Sequence, residues 1–148
     1  MAHKETVPSG EVRDWLEVPM FWNVSSSVGY GCPNKEGDVL LVQFFLNSIA
    51  RIDKRTDQLL VPDGRFGGKT WARIKSFQKA RFAPVDGAVS SVSGSELYSP
   101  KQGKVYTIFS LNVIYKNFHP VLYKDITMDP KCPVLLTSIL SGPMPDLA

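Results

Sequence analysis

The sequence predicts a mainly helical fold: a three-helix core braced by two Asp-Gly turns, with an extension at each end. Three observations predict it. Apolar residues recur at helical spacing from 37 to 52 and again from 68 to 80. Pro62-Asp63-Gly64 and Val85-Asp86-Gly87 are turn signatures lying 23 residues apart. The 148 residues are ordinary in composition, with 43% hydrophobic and 21% charged, so the chain can bury a core of its own. We divide it into an N-terminal extension (1–36) packed on the core, a helical domain (37–119) and a C-terminal extension (120–148).

In the N-terminal extension, Val12, Trp15, Leu16 and Val18 predict a short packed element. Met20-Phe21-Trp22 follows, and three large apolar residues in a row call for cover. Ser25-Ser26-Ser27 and Gly29 to Asn34 are loop chemistry. The first helix spans 37–52, with Asp38 as its expected N-cap. Val39, Val42, Leu46 and Ile49 form one face, while Leu40, Leu41, Phe44 and Phe45 widen it, so burial on most sides is expected. The charged stretch Arg51 to Asp57 leads into Leu59-Leu60-Val61.

A second helix is expected from Gly68 to Ala80. Trp71, Ile74, Phe77 and Gln78 make its core face; Lys69 and Arg73 continue a basic line from Arg65, and Lys75 and Lys79 make another. The two turns form a weak internal repeat, each placing an apolar residue (Phe66, Val89) two positions after glycine. Ser90 to Gly103 reads as loop. Lys104 to Phe118 fits a helix through Val105, Ile108, Leu111, Tyr115 and Phe118, and fits a strand nearly as well; its length favours helix. Pro120 ends it, and Pro133 is placed to open a short last helix.

The net charge is +3, but residues 51–81 alone carry +6, leaving −3 for the rest. Such a run suits a solvated helix face or the attraction of an anionic ligand. Cys32 and Cys132 show no metal-ligand spacing, and the sequence leaves open one disulfide or two thiols. No apolar leader is visible at the start, and no stretch is long and apolar enough to span a membrane.

The run Asp63-Gly64-Arg65-Phe66-Gly67-Gly68-Lys69-Thr70-Trp71, continuing to Phe77-Gln78, resembles the small three-helix peptidoglycan-binding domain often appended to cell-wall hydrolases, which reads D-G-x-F-G-x-x-T and then F-Q. Upstream, Val39-Leu40-Leu41-Val42-Gln43-Phe44-Phe45-Leu46-Asn47 resembles its first helix, V-x-x-L-Q-x-x-L-N. Downstream, Val85-Asp86-Gly87-Ala88-Val89 resembles its V-D-G-x-V turn. The resemblance covers about a third of the chain, near 37–90. It implies structural roles for Asp63, Gly64, Phe66, Gly67, Thr70, Gln78, Asp86 and Gly87. Gln43 and Gln78 are expected to bridge helices or line a groove. One departure stands out: Ser90-Ser91-Val92-Ser93 follows the second turn where the family has Gly and then Thr-Trp. The third helix is therefore expected to be displaced to about Lys104.

The resemblance implies non-catalytic binding of peptidoglycan or a cell-wall fragment. The ligand-binding candidates are Arg65, Lys69, Arg73, Tyr30 and Tyr98, because cations and aromatic faces together suit a polymer bearing sugars and carboxylates. Trp71 is assigned to the core. The alternative is a protein–protein adaptor or cargo of a bacterial secretion apparatus, including contractile injection systems. Catalytic chemistry is disfavoured: His3 and His119 are the only histidines, and Cys32 lacks a helix N-terminus that would activate it beside His119. No cofactor, metal or nucleic-acid partner is expected; Asp53, Asp57 and Asp63 interrupt the basic run. The expected location is periplasmic or wall-associated, reached without a visible signal peptide, and otherwise cytoplasmic.

Overall fold

Helix α1 (Glu36–Ile52) forms the axis of the molecule, and every residue from Gly37 to Ala50 is buried. The sequence makes this possible because apolar side chains occupy almost its whole circumference, so neighbours can pack on every side. Glu36 and Asp38 in the first turn and Arg51 in the last complement the helix dipole. Asp38 is not the N-cap; Lys35 is. Asp38 lies one turn inside, fully buried, and its carboxylate accepts the backbone N–H and hydroxyl of both Ser25 and Ser26 at 2.9–3.2 Å. A buried carboxylate needs such donors, and the serine run supplies them.

The structure is a computed structural model. It describes residues 1–8, 16–81, 84–99 and 104–141, with backbone alone at 98, 99 and 104. Val12 and Trp15 of the expected N-terminal element lie outside the described residues, whereas Leu16 is fully buried.

Around α1 pack α2 (Gly68–Ala80), α3 (Thr107–Phe118) and the short α4 (Val134–Leu140), which Pro133 opens as its N-cap. The molecule is mainly helical. Strand structure among the described residues is confined to two antiparallel pairs. Strand β1 (His3–Thr6) pairs with β2 (Met20–Asn23), with Lys4 opposite Trp22, and β3 (Tyr98–Ser99) pairs with β4 (Lys104–Val105). The apolar run Met20-Phe21-Trp22 thus becomes a strand. The ambiguous segment resolves into both readings, a two-residue strand followed by a helix that starts at Thr107.

Aromatic packing joins α1 to α3. Phe44, Phe45 and Tyr115 meet with ring centroids 5.4–5.8 Å apart, and Tyr115 donates its hydroxyl to Asp129 at 2.7 Å. Burial, with the neighbouring Asp129, pushes the Tyr115 phenol well above its ordinary pKa. His119 caps the C-terminal end of α3, its ring 5.1 Å from that of Tyr115.

The two terminal segments meet each other through one buried amide. Asn112 on α3 accepts the Trp22 backbone N–H (2.8 Å) and the Tyr123 hydroxyl (2.6 Å), and donates to the Trp22 carbonyl (2.9 Å). The Trp22 indole in turn donates to the Tyr123 carbonyl at 2.8 Å. Both cysteines are free thiols, so no disulfide provides this tie.

Asn112→Ala should strand the Trp22 N–H in the core and leave the Tyr123 hydroxyl only its longer bond to the Met20 carbonyl (3.4 Å). The expected cost is about 3 kcal/mol in urea unfolding, at roughly 1–3 kcal/mol per orphaned buried group. Asn117→Ala, one turn away and exposed, should change stability by less than about 0.5 kcal/mol.

Candidate functional site

Two glutamines organise the two Asp-Gly turns, one each. Gln43 projects from α1, and its carbonyl oxygen accepts the Gly64 backbone N–H at 3.0 Å. Its Nε2 donates to Asp63 Oδ1 (3.3 Å), the Arg65 carbonyl (3.1 Å) and Thr70 Oγ1 (3.2 Å). Gln78 repeats the pattern from α2. It accepts the Gly87 N–H at 2.9 Å and donates to Asp86 Oδ1 (2.8 Å), the Ala88 carbonyl (3.0 Å) and Thr107 Oγ1 (3.1 Å). Each primary amide therefore ties a helix to a turn and to the start of the next helix, using both its donor and its acceptor sides.

The turn glycines obey one constraint. Gly64 and Gly87 have φ of +75° and +70°, where side chains with a Cβ are strained. A Cβ on Gly64 would sit 2.7 Å from Glu36 Cγ, and one on Gly87 would collide with the Trp71 indole nitrogen. Inside the first turn, the Arg65 backbone N–H holds the Asp63 carboxyl below the usual carboxylate range; burial opposes this less strongly, and the Gln43 hydrogen bond adds to the lowering.

Each clamp borders a groove. The first, of about 500 Å³ with its open mouth, is lined by Gln43, Leu60, Val61, Asp63, Arg65, Gly67, Gly68, Lys69 and Thr70. Helix α2 starts there on Gly67 with no side-chain cap, so the positive end of its dipole faces the same region. The second, of about 460 Å³, is lined by Gln78, Pro84, Asp86, Ala88, Ser90, Val105, Tyr106 and Thr107. A shallower apolar groove runs along α3 past Val105, Phe109, Val113 and Ile114.

The five residues chosen from the sequence do not converge. Arg65 and Lys69 share the first groove, both exposed. Arg73 lies one turn beyond Lys69, half-buried near the charges of Arg55, Asp53 and Asp57; burial chiefly lowers its pKa, and its buried Nε has no partner. Tyr30 is 82% exposed and stacks at 5.8 Å on Trp71, which carries the Lys75 ammonium 3.4 Å from its ring centroid. At about 100° per residue, Trp71 is about 200° round the helix from Lys69, so Tyr30 marks the other flank of α2. The Tyr98 side chain lies outside the described residues. Trp71 is half-buried rather than core, because the helix turns its ring onto Gly87 at the domain edge. Phe66 is half-buried against the core, and Val89 is fully buried, bridged to Val28 by paired backbone hydrogen bonds.

Sequence reasoning missed Thr107 and Tyr106, and placed Lys75 on a basic line without its contact to Trp71. Thr107 takes the role of Thr70, although the third helix was expected from about Lys104. The signal was present as a Thr opening an apolar helix, but it sits far beyond the second turn instead of next to it. Among the described residues, no group of three or more His, Cys, Asp or Glu is arranged to hold a metal ion. Compared with protein-family models, curated proteins and solved structures, the chain matches none.

Gly87→Ala should destabilise the protein by about 2 kcal/mol or more, from left-handed strain plus the Trp71 collision, and should shift tryptophan fluorescence. Gly68→Ala has open space around its Cβ and should be neutral or stabilising by about 0.5 kcal/mol. Gln78→Leu should cost about 3 kcal/mol, because the Gly87 N–H loses its acceptor inside the protein. Chemical denaturation of the three variants checks all of these.

Proposed function

We propose that the chain binds peptidoglycan, or a cell-wall fragment, without catalysis, and takes a carboxylate of the stem peptide in the first groove. The observation that carries this reading is the placement of Arg65 and Lys69 together at the mouth of the Gln43–Asp63–Thr70 clamp. The residues that resemble the peptidoglycan-binding family thus surround a concave surface with paired cations. Arginine and lysine bind a carboxylate by charge-assisted hydrogen bonds, the open start of α2 adds favourable dipole, and Leu60 and Val61 offer apolar contact to alanyl side chains. Arg73 lies away from this groove and serves the charged loop after α1.

A second reading has its own support. The apolar groove along α3, with Phe118 and Val121 exposed at 60% and 82%, suits a protein partner. An adaptor or cargo of a secretion apparatus would use that face instead.

Co-sedimentation with purified sacculi tests the first reading. The wild type should pellet with sacculi, and Arg65→Ala with Lys69→Ala should weaken binding by about tenfold or more, consistent with about 1.5–3 kcal/mol for charge-assisted contacts. Arg73→Ala should bind as the wild type does, and 0.5 M salt should weaken the wild type. Equal binding by the folded double variant, or no binding of the wild type, would refute the reading.

A further inference from the structure

Tyr30 stands out from the surface on a fastened loop. Its side chain is 82% exposed, yet the backbone beneath it is held from both sides. Asn34 accepts the Gly29 N–H at 2.8 Å and donates to the Gly29 and Cys32 carbonyls at 2.8 and 3.0 Å. Val28, just before the loop, exchanges two backbone hydrogen bonds with Val89. A Cβ on Gly29 would lie 2.9 Å from Ala88, so the loop also sits tight on the second turn. None of these bonds uses the phenol. One side of the Tyr30 ring rests on Trp71, with centroids 5.8 Å apart, and the Lys75 ammonium lies 3.4 Å from the Trp71 ring centroid. At 82% exposure the other face of the Tyr30 ring is open to solvent.

We infer that the open face of Tyr30, with the Lys75 ammonium beside it, is a stacking subsite for a pyranose of the wall glycan. The inference rests on the wall-binding reading and assigns the sugar part of the ligand to this flank of α2. A ring that stands proud of the surface offers a flat apolar face, which suits the C–H side of a sugar. An anchor for a protein partner sits instead in a pocket that strips it of water. Because the loop is braced before the ligand arrives, little freedom is lost on binding. The Lys75 ammonium carries three donors, which can meet hydroxyl or acetamido oxygens at the rim of a stacked sugar. The subsite and the first groove flank the same helix start, about one helix diameter (~10–12 Å) apart. At about 100° per residue, Gly68 and Ala72 fall between Lys69 and Trp71 on the solvent side. Gly67, Gly68 and Ala72 are exposed, and a Cβ on either glycine would meet nothing within 4 Å. Neither glycine has positive φ, so the backbone does not call for glycine there. The bare start of α2 thus forms a low saddle. A sugar on Tyr30 and its peptide carboxylate at Arg65 and Lys69 can belong to one ligand lying across it.

The test is an amide-resolved NMR titration of the full chain with two probes. Di-N-acetylchitobiose is neutral, and Nα-acetyl-D-alanyl-D-alanine carries one carboxylate. Chitobiose should shift the amides of Tyr30 and Gly31 and the Trp71 indole N–H, and leave Arg65 and Lys69 still. Tyr30→Ala should weaken chitobiose at least fivefold and Tyr30→Phe less than twofold, because stacking needs the ring and not the hydroxyl. Both substitutions alter an exposed side chain and should keep the wild-type urea midpoint. If Tyr30→Ala folds poorly, the wild-type shift map and Tyr30→Phe decide. The subsite is overturned if chitobiose shifts nothing, if it shifts only residues away from Tyr30, or if it binds folded Tyr30→Ala as it binds the wild type. Equal loss in the Phe and Ala variants overturns it too. In all these cases the carboxylate site survives if the dipeptide shifts Arg65 and Lys69. A dipeptide that binds nowhere, while chitobiose binds at Tyr30, sinks the carboxylate site and keeps the sugar subsite. If neither probe binds and sacculi are not bound, both fail.

Discussion

A buried carboxamide that must satisfy every one of its hydrogen-bonding atoms is the constraint on which this structure depends. Gln43 and Gln78 are 1–2% exposed, and in that setting an unmet donor or acceptor costs more than a met one contributes. The turn N–H, the turn carbonyl, the aspartate and the helix-opening threonine must therefore arrive together or not at all. This makes the turn and the helix start rigid relative to the helix that bears the amide. Both grooves take their shape from that rigidity.

The same device recurs at two further places where a non-helical segment crosses a helix. Asn47, one turn beyond Gln43, holds Leu60 by both its backbone N–H (2.7 Å) and its carbonyl (2.9 Å). Asn112 does the same for Trp22. Neutral amides suit this work. They fasten extended backbone as a neighbouring strand would, and they carry no charge to desolvate. The fold thus holds long irregular segments against helices without a large sheet and without a disulfide.

Repetition of the frame leaves the lining free to vary. The bonds that shape each groove come from Gln, Asp, Gly and Thr, whereas the rest of the described lining comes from the neighbours of those four. Arg65 can become Ala88, and Lys69 can become Tyr106, without altering a clamp bond. The Tyr30–Trp71–Lys75 stack lies on the opposite flank of α2, where Trp71 backs the second turn through Gly87, so its packing supports the frame.

The sequence by itself determined the helices, because an apolar pattern of period 3.6 needs no distant partner to be read: α1 and α2 lie within one residue of expectation. It also determined the turns, since Asp-Gly demands a backbone that few other pairs allow, and positive φ is found at both glycines. Only the tertiary structure decided the pairing of Gln78 with Thr107 and the fate of Trp71. In the first clamp, Gln43 is 20 residues from its aspartate and 27 from its threonine; in the second the separations are 8 and 29. The connecting chain has moved from one side of the turn to the other. Closing a longer loop costs little free energy, so the geometry survives a shift that erases the motif's spacing. Trp71 has helical phase with Ile74 and Phe77, and only the position of the second turn shows that its ring lies at the rim of the core. Periodicity is local and legible; what covers a helix face belongs to segments that the helix itself does not specify.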